Sequence, residues 1–239
     1  MRFSLVIPCY NEAANIPLLL DRCRLILEQG NVEVLLVDNG STDHSAAVLT
    51  DLLPQYPGIR CVRVEPNLGY GFGIICGLSE SKGEILGWTH ADMQTDPHDI
   101  LAGLALFERH GDNIFVKGRR HGRPFADVAF TMGMSLFEIL LLKQPLWDIN
   151  AQPTMFSKEF FNTWKSPPRD FSLDLFAFFQ ACSQGLMVHR FPVRFAARAH
   201  GVSHWNINWA AKWRFIKRTI NFSMQLKERS RHEDYRSPP

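Results

Sequence analysis

Alternation constrains this chain more than any other feature of it: through the first hundred residues, short apolar runs give way to stretches of helical spacing and back again. The run Phe3-Ser4-Leu5-Val6-Ile7 predicts a buried strand. Ile16, Leu19, Leu20, Cys23 and Leu27 then recur at helical spacing, and Gly30 stops the pattern. A second strand is predicted over Val32-Glu33-Val34-Leu35-Leu36-Val37, after which Ser41-Thr42-Asp43 offers helix caps ahead of Ala46, Ala47, Leu49 and Leu53. Residues 59–64 predict a third strand and residues 84–89 a fourth. Between them, the segment after Asn67-Leu68-Gly69-Tyr70-Gly71 predicts a helix reaching Ser81, closed by Lys82-Gly83. Strands and helices at this pitch imply an α/β fold, a parallel doubly wound sheet flanked by helices, with ligands at the carboxyl ends of its strands.

Beyond this point the pattern loosens. Pro97 after Asp96 predicts a helix start running to about His110, and Ile114-Phe115-Val116 a further strand. Residues 125–142 and 171–184 read as helices, residues 187–195 as extended across Pro192, and residues 205–229 as a long helix. No repeat, low-complexity tract or linker divides the chain, so the second half is expected to build onto the sheet of the first. Residues 1–204 are expected to form one catalytic domain. Residues 205–239 then supply a basic, aromatic helix and tail, either part of that domain or a peripheral membrane contact.

Composition excludes several classes. With 46% hydrophobic and 21% charged residues the chain is neither disordered nor fibrous, and a net charge of +2 gives no reason to expect nucleic acid as a partner. Cys9, Cys23, Cys61, Cys76 and Cys182 are odd in number, widely spaced and without a C-x-x-C pair, which suits reduced thiols in a cytoplasmic protein. Residues 3–7 are too short for a signal-peptide core. Residues 125–142, the most lipid-like stretch, carry Asp127 and Glu138, so no transmembrane helix is expected.

Three polar clusters follow predicted strands: Tyr10-Asn11-Glu12, Asp38-Asn39-Gly40-Ser41-Thr42-Asp43, and His90-Ala91-Asp92 with Gln94. In a parallel sheet they converge on one edge. Each alone could cap a helix. Asp92 at a buried strand's exit, with the Gln94 oxygen two residues on, can seat a divalent cation that holds a diphosphate. No G-x-G-x-x-G follows the first strand, which weakens a dinucleotide-dehydrogenase reading, and Gly69-x-Gly71-x-Gly73 does not replace it.

Taken together, Val6-Ile7-Pro8-Cys9-Tyr10-Asn11-Glu12, Val37-Asp38-Asn39-Gly40-Ser41-Thr42-Asp43, Asn67-Leu68-Gly69-Tyr70-Gly71 and Ala91-Asp92-Met93-Gln94 resemble the ordered motifs of family 2 glycosyltransferases with the GT-A fold. The nearest branch is that of dolichyl-phosphate mannose synthase and the bacterial polyprenyl-phosphate glycosyltransferases. Val116-Lys117-Gly118-Arg119-Arg120 resembles that branch's strand ending in Arg, and Arg198-x-x-Gly201-x-Ser203 its closing motif. The resemblance implies that Pro8, Tyr10, Glu12, Asp38, Ala91 and Asp92 hold the nucleoside of a UDP- or GDP-sugar. It implies that Asp92 and Gln94 ligate Mg²⁺ or Mn²⁺, and that Arg120, Arg198 and Ser203 contact phosphates. The reaction implied inverts the anomeric carbon. Asp174 falls where many members carry an acidic catalytic residue, though a charge at a helix start would explain it equally.

Departures from the pattern matter as much. His90 replaces the first Asp of the usual D-A-D; a softer imidazole donor tilts the expectation toward Mn²⁺. Thr154 stands where the branch usually has Arg, and His204 where Lys is common, so the expected lipid-phosphate acceptor, a polyprenyl phosphate, competes with a glycan hydroxyl. Trp209, Trp213, Ile216 and Ile220 form a helical stripe among Lys212, Arg214, Lys217 and Arg218. That stripe suits either an anionic membrane surface at the inner face or packing on the sheet. Residues 125–142 suit a membrane-facing or acceptor-side surface, a core helix or a homodimer contact. A sugar nucleotidyltransferase and a catalytically silent nucleotide-sugar-binding or scaffold protein are the competing classes.

Overall fold

A computed structural model describes residues 1–200 and 209–234, with side chains of the last helix described at Trp213 and over 216–229. The chain runs β1 (Phe3–Cys9), α1 (Ile16–Leu27), β2 (Val32–Asp38), α2 (Ser45–Leu52), β3 (Ile59–Arg63), α3 (Tyr70–Ser79) and β4 (Ile85–Trp88). It continues through α4 (Ile100–His110), β5 (Ile114–His121), α5 (Phe125–Leu142), β6 (Thr154–Ser157), α6 (Lys158–Asn162), α7 (Leu173–Ser183), β7 (Met187–Arg194) and α8 (Trp209–Asp234). The seven strands form one sheet in the order β3-β2-β1-β4-β6-β5-β7. Only β6 runs against its neighbours. The mostly parallel sheet expected from the alternation is therefore present.

Period-two alternation divides the core between the two faces. Leu5, Ile7, Val34 and Leu36 pack with Ile16, Leu20 and Cys23 of α1, whereas Val6, Leu35 and Val37 pack with Ile74 and Leu78 of α3. Burying both faces of β1 and β2 explains why their sequences read as nearly continuous apolar runs. Because β1 pairs with β2 on one side and β4 on the other, the chain reverses its direction of travel across the sheet there. The crevice beyond the carboxyl ends of β1 and β4 is the place where such sheets bind ligands.

The second half departs from the sequence reading in two places. The strand expected over Ile114-Phe115-Val116 runs on to His121, because Gly118 to His121 keep pairing with Phe191 to Arg194 of β7. Thr154–Ser157 forms β6, which no pattern announced: four residues, all buried, leave no alternation to detect. Of the alternatives left open for residues 125–142, the core helix does not hold, since only Ser135, Glu138 and Leu142 are buried along α5. Helix α8 packs against α5, where the Ser223 hydroxyl donates to Glu138 Oε1 at 2.7 Å.

Candidate functional site

The loops after β1 and β2 are laced to each other before any ligand is considered. Asn11, in the left-handed region at φ 58°, donates its backbone N–H to Ser41 Oγ at 3.1 Å, and its side-chain oxygen accepts from the N–H of Thr42 at 2.8 Å. Glu12 N–H donates to Ser45 Oγ, and Asp43 accepts from the Ser45 N–H at 2.9 Å, capping the start of α2. Capping therefore accounts for Asp43, while Asn11 and Ser41 join the two loops. Asp38, buried at the end of β2, accepts from the Ser41 N–H and pairs with Arg63 at 3.0 Å. Arg63 is the residue in register with it on β3.

The glycine motif ties this edge to a distant segment. A side chain at Gly69, where φ is 116°, would strike the Arg169 carbonyl, and one at Gly71 would strike the Pro168 and Asp170 carbonyls. That close approach lets Phe72 N–H donate to Arg169 O at 2.9 Å, and Asn39 Nδ2 donates to Gly69 O at 3.0 Å. The loop preceding α7 is thereby held beside the nucleotide-side motifs.

After β4 the chain delivers His90, Ala91 and Asp92 to the same edge. Asp92 is buried; its Oδ1 accepts from the Gln94 N–H at 3.1 Å and its Oδ2 pairs with Arg198 at 2.9 Å. Gln94 Nε2 donates to the Ala196 carbonyl at 3.3 Å, and no described residue donates a hydrogen bond to the side-chain oxygen of the amide, the atom that could act as a ligand. Burial, and then the nearby Asp92 charge, push the Glu12 carboxyl above its usual pKa, opposed by Asn15 and Arg198. Two carboxylates crowded at a strand exit make a place for added positive charge. No set of three His, Cys, Asp or Glu able to hold a metal exists among the described residues. Asp92 with Gln94 accordingly fits a hard divalent ion that completes its shell with substrate phosphates, as Mg²⁺ does elsewhere.

Beneath His90 lies a buried polar floor that the sequence did not reveal. Tyr70 stacks between His90 and Phe171, with centroids 5.6 and 4.5 Å away. Asp174, buried on α7, accepts from Gln152 Nε2 at 2.6 Å; burial raises its pKa, and the Lys117 charge is the strongest opposing influence. Lys117 is itself buried on β5, donates to Thr154 Oγ1 at 2.7 Å and is pushed down to about 7 by burial. Lys117 and Thr154 are cross-strand partners. A Lys beside Phe115 and Val116 in a strand gives no sequence signal of burial, so neither it nor Gln152 was identified.

Arg120 lies elsewhere on the same side. It forms a fork to Asp148, to which Arg123 and Arg190 also come within 3.7 and 3.8 Å. Three guanidinium groups share one carboxylate, which leaves excess positive charge. A cavity opens beside Arg120 between α5, α7 and α8, lined by Phe130, Met134, Glu138, Asn150, Phe171 and Thr219 among others, and no residue following β1, β2 or β4 lines it. The structure thus gathers Pro8, Tyr10, Glu12, Asp38, Ala91, Asp92, Gln94 and Arg198 on one edge, and places Arg120 and Asp174 on the flank beyond. Ser203 is outside the described residues.

Comparison with known proteins fits this geometry. The family described as Glycosyl transferase family 2 matches residues 4–165. An undecaprenyl-phosphate 4-deoxy-4-formamido-L-arabinose transferase from Sodalis glossinidius is 41% identical over 103 residues, covering 41% of this chain and 31% of the relative. The protein of that name from Yersinia enterocolitica is 31% identical over 138 residues, covering 55% and 41%. The matches span less than half the length of these relatives. Among solved structures, glucosyl-3-phosphoglycerate synthase from Mycobacterium tuberculosis with Mn²⁺, UDP and glucosyl-3-phosphoglycerate aligns with a TM-score of 0.67 at 19% identity, covering 95% of this chain and 79% of the other. A Pyrobaculum calidifontis mannosyltransferase with GDP-mannose and Mn²⁺ aligns with a TM-score of 0.61 at 21% identity, covering 84% and 58%. These likenesses establish the GT-A fold.

Proposed function

This chain belongs to glycosyltransferase family 2, and from that membership we propose that it moves a sugar, with inversion, from a UDP- or GDP-sugar to a polyprenyl phosphate in cell-envelope glycan or glycolipid synthesis. The observation that carries the reading is Asp92: a buried carboxylate at the reversal point of the sheet, with Glu12 and Arg198 beside it. The acceptor comes from relatives that match part of the chain and act on undecaprenyl phosphate by name.

In this reading Asp38, steadied by Arg63 and the Ser41 N–H, receives the base or ribose, and Pro8, Tyr10, Glu12 and Ala91 shape the nucleoside site. Asp92 and Gln94 would hold Mg²⁺ or Mn²⁺, with Mn²⁺ favoured by the neighbouring imidazole of His90. Held there, the ion would supply positive charge that offsets the charge of the departing diphosphate. Arg198, already within hydrogen-bond reach of Asp92, supplies donors to the same phosphates, and Ser203 follows it in the closing motif. The acceptor's phosphate oxygen attacks the anomeric carbon from the opposite face, approaching past Arg120. A phosphate is already ionised and needs no base, so in this reading Asp174 does not remove a proton from the acceptor.

A glycan hydroxyl as acceptor is the second reading, favoured by Thr154 and by the position of Asp174; in that case Asp174 would serve as the base. Incubation with a panel of UDP- and GDP-sugars and Mn²⁺ separates the two. Transfer to a short-chain polyprenyl phosphate with a rate flat between pH 6 and 8 is expected. Transfer to a glycan alone, falling with acid as a base titrates, would replace the first reading with the second. A chain that binds a sugar nucleotide yet transfers it to nothing would be a binding protein.

A further inference from the structure

The turn that carries Asp92 is held from two sides. On its far side the segment after β7 grips it: Arg198 pairs with Asp92, and the Ala196 N–H donates to the Gln94 carbonyl at 2.8 Å. On its near side the sheet lets go early. Thr89, just past β4, still donates its N–H to the Val6 carbonyl at 3.2 Å, and among the described residues no backbone bond to the sheet follows it in this turn. Met93 then lies in the left-handed region at φ 58°. A side chain of that size keeps such a conformation only where its surroundings enforce it.

Tyr70 supplies the hold on the near side. Among the described residues no hydrogen bond orients the His90 imidazole, which lies against the Tyr70 ring with 5.6 Å between centroids and 30° between planes. Tyr70 lies in turn on Phe171, at 4.5 Å and 9°, and the Arg218 guanidinium of α8 stands over Phe171 at 5.5 Å from the ring centroid. Planar groups from four separate segments thus form one column that runs from the Asp92 turn to α8. Its outer end is fixed as well: Arg218 Nε is 3.3 Å from Asp170 Oδ2, while Asp170 Oδ1 accepts from the Ser172 N–H at 2.9 Å. The backbone beside Asp170 is seated on Gly69 and Gly71, so Phe171 cannot shift without the start of α3. Filling the core does not explain the column, because Phe171 is 43% exposed and Arg218 and Asp170 are partly exposed beside it.

We propose that Tyr70, Phe171 and Arg218 are positioning residues for the sugar-nucleotide site: through the His90 ring they hold the turn from His90 to Gln94 in the geometry that binds a nucleoside diphosphate with its divalent ion. The inference rests on the function proposed above, in which that turn receives the diphosphate. Helix α8 thereby contributes to donor affinity without touching the donor. A flat guanidinium suits the outer position because it can lie on an aromatic face while pairing with a carboxylate, which an ammonium does less well. Phe171 also lines the cavity beside Arg120, so one ring borders that cavity and stacks in the column that reaches the Asp92 turn.

Titration calorimetry of UDP and of GDP, each with Mn²⁺ and well below the melting temperature of every variant, tests this. Phe171→Leu should weaken binding of the nucleotide that the unaltered chain takes by roughly 3–10-fold, the effect of losing one aromatic pair. Arg218→Lys, which keeps the charge beside Asp170 without the flat face, should weaken it by roughly 2–5-fold. Phe171→Tyr keeps the ring and should bind as the parent does. His90→Ala should weaken binding too, and adding Phe171→Leu to it should cost nothing further, because both changes cut one column. Ser223→Ala loosens α8 from α5 outside the column and should leave binding unchanged. Parent-like binding in Phe171→Leu or in His90→Ala, or losses that multiply in the double variant, would overturn the proposal. So would an equal loss in Ser223→Ala, which would assign the effect to the packing of α8 at large. A parent that binds neither nucleotide would overturn the proposed function and this inference with it, whereas a parent that binds while the losses multiply overturns the inference alone.

Discussion

Strands β1 to β4 and strands β5 to β7 share one sheet but distribute polarity in opposite ways. In the first half, apolar faces of α1 and α3 turn inward and the polar groups collect at the carboxyl edge, laced loop to loop through Asn11, Ser41 and Asp38. In the second half the charges go inward, as Lys117, Asp174 and Glu138, while α5 turns its apolar residues outward. The first arrangement is a rigid edge prepared for a polar ligand in water. The second leaves apolar side chains of α5 such as Phe125, Leu136 and Leu140 at the surface.

That contrast can be broken by stability measurements. Lys117→Ala leaves the buried Thr154 hydroxyl without its donor and Asp174 without the cation that most opposes its raised pKa, and urea denaturation should show a loss of about 1–3 kcal/mol. Arg22→Ala removes an exposed partner of Asp96 in the first half and should cost under ~1 kcal/mol. Equal losses at the two sites would erase the distinction between the halves. Replacing both members, Lys117→Met with Asp174→Leu, should recover much of the loss if apolar packing can substitute for the pair.

Glu138 offers a pH readout of the same inversion. Burial pushes its carboxyl up to about 7, whereas the unfolded chain ionises it near 4.5. The folded state therefore holds a proton that the unfolded state releases, so this contribution is complete below pH 4.5, drains as pH rises, and is gone above about 7. Its ceiling is about 3 kcal/mol. Thermal melts of Glu138→Gln should lack that fall between pH 5 and 7; a parallel fall in both proteins would place the titrating group elsewhere.

Smaller effects sharpen the picture. Asn11→Ala removes the acceptor for two loop N–H groups at a left-handed position and should cost about 1–2 kcal/mol, with weaker sugar-nucleotide binding by calorimetry. Ser223→Ala removes one hydrogen bond between α8 and α5, about 1 kcal/mol, and should leave nucleotide binding unchanged. Weakened nucleotide binding in Ser223→Ala would show that the halves are coupled.

The same polarity contrast decides how much could be read from the chain itself. Parallel strands buried on both faces announce themselves as apolar runs, and β1 to β4 fall within one or two residues of their predicted ends. Tyr10, Glu12, Asp38, Asp92 and Gln94 were identifiable because each follows such a run, whereas Pro8, Ala91 and Arg198 were picked out only through the resemblance to the family. Arg63 was not, since its role comes from cross-strand register with Asp38. In the second half the signals are weaker: an apolar helix fitted a core element and an exposed surface equally and proved exposed, a Lys in a strand proved buried, and four buried residues of β6 had no period to show. The Asp148 cluster depends on three arginines drawn from β5, the segment after it, and β7, a convergence that exists only in three dimensions.

The central claim is that the carboxyl edge around Asp92 binds a sugar nucleotide through a divalent ion. Titration calorimetry of UDP- and GDP-sugars, with and without Mn²⁺, on the unaltered chain and on Asp92→Asn tests it directly. One sugar nucleotide should bind with Mn²⁺, and both removal of the metal and Asp92→Asn should weaken binding by roughly 10²–10³-fold, the effect of losing one charge-stabilising group. Binding that is indifferent to both the metal and Asp92 would contradict the account.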